Sequence, residues 1–193
     1  MHRQIHQLCF FFLISLYLGL TRLPNELRKW RLLTAKSRIC YNETMKTNFT
    51  IGVFAIIFDE KKRVLLCHRR DYDLWNLPGG GLSFNEAPWE GVIREVKEET
   101  GLDARVVRLA GIYSKKNSTD IVFSFLCQVV GGEMTLTDEA DRIEYFSSEN
   151  IPKNTSPKHV ERIKDILEAK DETLIMKTQE GQSSIELAKQ GKL

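Results

Sequence analysis

The sequence predicts an α/β domain, and three observations carry that prediction. Runs rich in β-branched and aromatic residues stand at 49–58, 63–69, 106–113 and 121–130, as strands require. A helical period lies between the second and third runs, from Asn85 to Gly101. A second helix, His159 to Leu167, closes the domain by the spacing of Val160, Ile163 and Ile166. Strands on both sides of one helix, with another helix near the end, call for a sheet with helices packed on it.

Composition sets the outer limits. A chain of 193 residues suits one core domain with extensions, and 42% hydrophobic content is enough for a sizeable core. A net charge of +2 gives no electrostatic case for a nucleic-acid polymer as partner. The cysteines at 9, 40, 67 and 127 have neither metal-ligand spacing nor disulfide density, which fits reduced thiols in a cytoplasmic protein.

Residues 1–44 differ from the rest. Leu8 to Leu20 is almost wholly apolar, shorter than the ~20 residues of a membrane span and closer to a signal-peptide core. No small-residue cleavage site follows it, and basic residues cluster after it (Arg22, Arg28, Lys29, Arg31, Lys36, Arg38). Three readings stand: an extension or anchor with membrane contact through 8–20, a secreted leader, or translation starting at Met45. The sequons at Asn42, Asn48, Asn117 and Asn154 lean towards secretion, although such short motifs arise by chance.

The domain is expected over 45–170, followed by a polar tail at 171–193. Its first strand, Phe49 to Phe58, ends in a hairpin turn at Asp59-Glu60-Lys61-Lys62, and Arg63 to Arg69 is the returning strand. A loop runs through Asp71-Tyr72-Asp73 to Trp75, then Leu77-Pro78-Gly79-Gly80-Gly81 leads towards the helix. Asn85 is read as its cap, Pro88 is tolerated in the first turn, and Gly101 suits the position after the last turn. Trp89, Val92, Ile93 and Val96 form the face expected to be buried. The two later strands are joined by the polar loop 114–120, and an acidic loop, 135–141, precedes a short strand at 143–146.

The helix breaks two local rules. Glu95 and Glu99 share a face with Glu98 beside them, and like charges at this spacing cost roughly 0.2–0.5 kcal/mol per pair. They also sit at the negative end of the helix dipole, a further penalty of about 0.3–1 kcal/mol each. A bound divalent cation would reverse both signs. Arg94 can pair with Glu98 one turn away.

The pattern Gly80, five residues, Glu86, seven residues, Arg94-Glu95-Val96-x-Glu98-Glu99-x-Gly101-Leu102 resembles the Nudix box of the Nudix hydrolase superfamily. Every specified position matches, and the resemblance extends loosely from Thr50 to Ile166. It implies an α/β/α sandwich around a mixed β-sheet, with the box as a loop–helix–loop platform. It also implies that Glu95, Glu98 and Glu99 are catalytic and hold Mg²⁺, or Mn²⁺ in its place, helped by the carbonyl of Gly79 or Gly80. Clustered carboxylates without histidine or cysteine suit such hard cations. Gly79, Glu86 and Gly101 would be structural, with Arg94 orienting the glutamates, one of which could instead be the general base. Relatives often supply another metal ligand or the base from the acidic loop, where Glu139 stands. Arg70 matches a phosphate-contacting position in some relatives.

Trp75 and Tyr113 are the candidate base-stacking aromatics, although buried structural rings are the commoner case. His68 and His159 are read as structural. The expected reaction is hydrolysis of the pyrophosphate bond in a nucleoside diphosphate linked to another group. The alternatives are a triphosphate pyrophosphatase that sanitises oxidised nucleotides and a non-catalytic nucleotide sensor. The intact box argues against the sensor. Members that cleave ADP-ribose often carry a proline where this chain has Ser118, which weakens ADP-ribose specifically. The expected partner is a small nucleotide, with a homodimer as the assembly entertained.

Overall fold

The computed structural model describes residues 48–169 and 173–192. The readings made for the apolar stretch 8–20, the basic cluster after it and the start at Met45 lie outside the described residues. Asn48 to Leu193 forms a compact unit by itself.

Among the described residues, eight strands and three α-helices follow one another: β1 (Thr50–Ile57), β2 (Val64–Arg69), β3 (Trp75–Asn76), β4 (Gly79–Gly81), α1 (Pro88–Thr100), β5 (Leu102–Lys115), β6 (Asp120–Gly132), β7 (Ala140–Phe146), α2 (Pro157–Glu168), β8 (Ile175–Gln179) and α3 (Ser184–Lys189). A mixed five-stranded sheet has the order β4-β1-β6-β5-β8, with β1 parallel to β6 and β5 parallel to β8. A second sheet, β3-β2-β7, is antiparallel.

The two faces of β1 build two cores. Val53, Ala55 and Ile57 point one way and pack with Val92 and Val96 of α1, Phe125 and Cys127. Ile56 and Phe54 point the other way, towards Ile163 of α2, Leu66, Trp75 and Leu77. Helices on both faces of a mixed sheet make the α/β/α arrangement, and it sets α1 with its glutamates on one side. Burying Val92 and Val96 contributes roughly 1.5–3 kcal/mol for each side chain.

Several local expectations are corrected. The turn at 59–62 forms, with the Asp59 carboxylate accepting from the amides of Lys61 and Arg63, but it does not close a hairpin. Beyond the single bridge Phe58–Val64, β2 leaves β1 and joins the other sheet. Asn85 does not cap α1; it sits at φ 62° in the preceding turn, and Ala87 takes the cap position. The Glu90 carboxylate reaches back to accept from the Ala87 amide at 3.1 Å. Trp89 shares the face of Val92 and Val96 but, in the first turn, is 59% exposed. The segment read as a polar tail contains β8, which pairs with β5 from Gly111–Ile175 to Lys115–Gln179. Gln179 anchors it: its carboxamide oxygen accepts two bonds from the buried Arg162, and its amide donates to Glu161 and the Lys158 carbonyl.

Candidate active site

The glycine stretch is a strand as well as a turn. β4 pairs with β1 through Gly52–Gly81, Val53–Gly80 and Phe54–Gly79, which brings its backbone against α1. Gly79 has φ 146°, and a Cβ there would stand 2.2 Å from the Val53 carbonyl. At Gly80 a Cβ would stand 2.8 Å from both carboxylate oxygens of Glu95. The glycines therefore let the chain run directly beside the acidic face of the helix.

Arg94 organises that face. Its guanidinium makes a two-pronged pair with Glu86, at 2.8 and 3.0 Å. It also donates to Glu95 at 2.9 Å, to Glu98 at 2.7 Å and to the Gly81 carbonyl at 3.2 Å. The planar fork of arginine allows this simultaneous reach, which a lysine ammonium lacks. Glu99 accepts from the Gly79 amide at 2.9 Å, tying the end of the helix to the strand. Gly101 ends α1 at φ 73°, the left-handed turn that glycine adopts without strain.

Electrostatics set the three glutamates apart. Burial pushes the Glu99 carboxyl up to about 8, with the charges of Glu95 and Glu139 adding to it and the Gly79 amide opposing. Burial also raises Glu95, against the pull of Arg94. Glu98 is exposed. Glu139, the residue before β7, acts on both Glu95 and Glu99, so the acidic loop does approach the helix. Among the described residues no three acidic, histidine or cysteine side chains are gathered into a ready-made metal cage. The oxygen-only donor set, the backbone of Gly80 against Glu95 and the raised carboxyls of Glu95 and Glu99 nevertheless fit a hard divalent cation.

Arg69, not singled out in the sequence, is the arginine beside this cluster. Asp71 holds its guanidinium more firmly protonated, and the charges of Glu99 and Glu139 add to that. Arg70 is exposed, its amide donates to the Glu139 carbonyl, and its charge acts on Asp141 instead. β2 ends at Arg69, just after a register shift between His68 and Arg69, so no simple sequence signal separates the two arginines.

Trp75 and Tyr113 are corrected. Trp75 is 4% exposed, edge-on to His68 and Phe146 under the Arg142 guanidinium. Tyr113 is 1% exposed, its hydroxyl on Asp165 and its ring beside Arg162. Neither ring offers a face to a base. His159 is buried, pushed well below its ordinary value by burial, and accepts from the Leu77 amide through Nδ1. Both nitrogens of His68 pair with carboxylates, Asp141 at 2.6 Å and Asp73 at 2.9 Å.

The family profile described as NUDIX domain matches residues 48–169, most of the chain. The chain belongs to the Nudix family of pyrophosphohydrolases. It is 34% identical over 122 residues to an ADP-ribose pyrophosphatase of Methanocaldococcus jannaschii, spanning 60% of this chain and 72% of that one. It is 31% identical over 118 residues to a candidate 8-oxo-dGTP diphosphatase of Bacillus subtilis, spanning 61% and 79%. Among solved structures, an ADP-ribose pyrophosphatase from Streptococcus suis superimposes with a TM-score of 0.58 at 27% identity, covering 67% of this chain and 99% of that one. These relatives are named for small nucleotide substrates, and Nudix hydrolases generally use divalent metal ions. No helix among the described residues is long and apolar enough to cross a membrane.

The glycine beside Glu95 gives a direct test of this Nudix site. Gly80→Ala should lower kcat by at least about tenfold while leaving most of the stability, because the Cβ meets a movable side chain rather than backbone. Steady-state kinetics with a thermal melt reads both; unchanged kcat would remove Gly80 from the site.

Proposed function

We propose that this Nudix hydrolase cleaves nucleoside diphosphates joined to another group, using Mg²⁺, in the cytoplasm. Water adds to one phosphorus of the pyrophosphate, the bridging P–O bond breaks, and the products are a nucleoside monophosphate and a phosphorylated remainder. The observation that carries this reading is the single guanidinium of Arg94 holding Glu86, Glu95 and Glu98 while Gly79 holds Glu99. Glu95, Glu98 and Glu99, the Gly80 carbonyl and Glu139 would hold the metal, which when bound neutralises charge on the phosphates. Arg94 and Glu86 position those carboxylates. Arg69, whose charge already answers to Glu99 and Glu139, meets phosphate oxygens of the substrate.

The M. jannaschii and S. suis relatives, both named ADP-ribose pyrophosphatases, support a diphosphate conjugate as substrate. The B. subtilis relative supports a second reading, cleavage of an oxidised deoxynucleoside triphosphate. A panel of ADP-ribose, nucleotide sugars, dinucleotides and normal and oxidised triphosphates separates the two. Diphosphate conjugates should lead in kcat/KM by at least about tenfold, about 1.4 kcal/mol of transition-state preference. A clear lead for any triphosphate would pass the case to the second reading.

A further inference from the structure

Burial of Trp75 and Tyr113 leaves the candidate site without the aromatic platform that a base needs, and the loop between β2 and β3 supplies one. This loop, residues 70–74, is closed by the Arg69 amide donating to the Leu74 carbonyl at 3.0 Å. Within it the Leu74 amide donates to the Tyr72 carbonyl at 2.7 Å, a three-residue turn centred on Asp73 that fixes the backbone at Tyr72. Asp73 fastens the loop to the body of the protein. Its carboxylate pairs with His68 at 2.9 Å and accepts from the Asn154 carboxamide at 2.8 Å.

Tyr72 is therefore a partly exposed aromatic on a loop held at several points. Its ring lies 5.9 Å from the guanidinium carbon of Arg69, and that guanidinium is itself held by Asp71 at 2.6 and 2.7 Å. Arg69 is paired in register with Ala140, the residue after Glu139. Seven residues after Tyr72 the chain reaches Gly79, whose amide binds Glu99. An aromatic, an arginine and the glutamates thus follow one another along one edge of the site. Trp89, exposed in the first turn of α1, is ten residues before Glu99 along the helix, about 15 Å at 1.5 Å per residue.

We propose that the Tyr72 ring stacks the base of the nucleotide while Arg69, beside it, binds the adjoining phosphate. The inference rests on the hydrolase reading above and adds which part of the chain recognises the base. Stacking on one aromatic face tolerates different bases, since every base has a π-face. The loop therefore selects for the presence of a base more than for its identity.

The test compares wild type, Tyr72→Ala and Tyr72→Phe with ADP-ribose and with phosphoribosyl pyrophosphate, which carries a pyrophosphate but no base. Tyr72→Ala should raise KM for ADP-ribose about tenfold with kcat held within about twofold, and leave the base-free substrate unchanged. Tyr72→Phe should match wild type on both. A binding arm uses adenosine 5′-monophosphate in metal-free buffer, read by NMR. Its base protons should shift upfield with wild type and Tyr72→Phe, and stay put with Tyr72→Ala. An unchanged KM in Tyr72→Ala, or equal losses on both substrates, would overturn the proposal. If wild type hydrolyses no nucleotide, the hydrolase reading fails while the NMR arm still decides on Tyr72.

Discussion

Glu99→Gln should lose at least about a hundredfold in kcat and, without metal, melt higher than wild type. The two halves of this result have one cause. Glu99 lies among Glu95 and Glu139, largely out of water, and its carboxyl is pushed up to about 8 against an ordinary 4.5. In the metal-free protein the folded state therefore keeps a proton that the unfolded chain releases. That contribution to stability is complete below about 4.5 and is lost as pH rises through 8. Glutamine keeps the shape and has no charge to bury. The variant's advantage in melting temperature should be small at pH 5 and largest at pH 8 and above. Adding Mg²⁺ at pH 8 should raise the wild-type melting temperature more than the variant's, because the cation offsets the same carboxylates. Melts across pH, with and without Mg²⁺, measure this. Near-wild-type turnover in saturating Mg²⁺, or a flat pH difference, would remove Glu99 from the metal set.

Arg94→Lys should fall nearly as far despite keeping the charge. Arg94 makes five hydrogen bonds, two to Glu86 and one each to Glu95, Glu98 and the Gly81 carbonyl. A lysine ammonium has three donors on a point charge and cannot hold Glu86 in two places while bridging Glu95 and Glu98. We expect kcat to drop about a hundredfold, with stability lower by about 1–3 kcal/mol as partly buried carboxylates lose partners. Raising Mg²⁺ should recover part of the activity, since a positioning defect weakens the metal site more than the chemistry. Kinetics over a Mg²⁺ series with denaturant unfolding checks both. Wild-type kcat with weakened stability alone would confine Arg94 to a structural role.

How much of this could be read from the residues depended on what kind of signal each feature leaves. The helix was legible because Val92 and Val96 repeat at its period and Gly101 ends it, and because the carboxylates of Glu95, Glu98 and Glu99 contradict the dipole. The approach of Glu139 was legible from the resemblance to relatives. Strand β4 left no signal, since three glycines carry no alternation and little strand propensity. Departure of β2 from β1 was hidden because a turn fixes direction locally, not which sheet the next strand enters. Arg69 and Arg70 differ by one position, and the strand ends between them after a register shift that the sequence does not mark. Trp75 and Tyr113 were ambiguous because an aromatic in a strand is equally suited to core or cleft. Strand β8 hid behind its composition: Met176 is 78% exposed, and the residue of β8 that is buried, Gln179, is polar.

That last strand has a consequence for how the molecule is made. β5 is complete by Lys115, yet the strand that covers its outer edge lies some sixty residues later, at Ile175–Gln179. During synthesis the edge stays open until Ile175–Gln179 has left the ribosome. An unpaired strand edge is a template for pairing with other chains, and long-range parallel pairing forms slowly. Nascent or C-terminally clipped molecules should therefore be the ones that self-associate, and chaperone demand should fall sharply once Gln179 can reach Arg162.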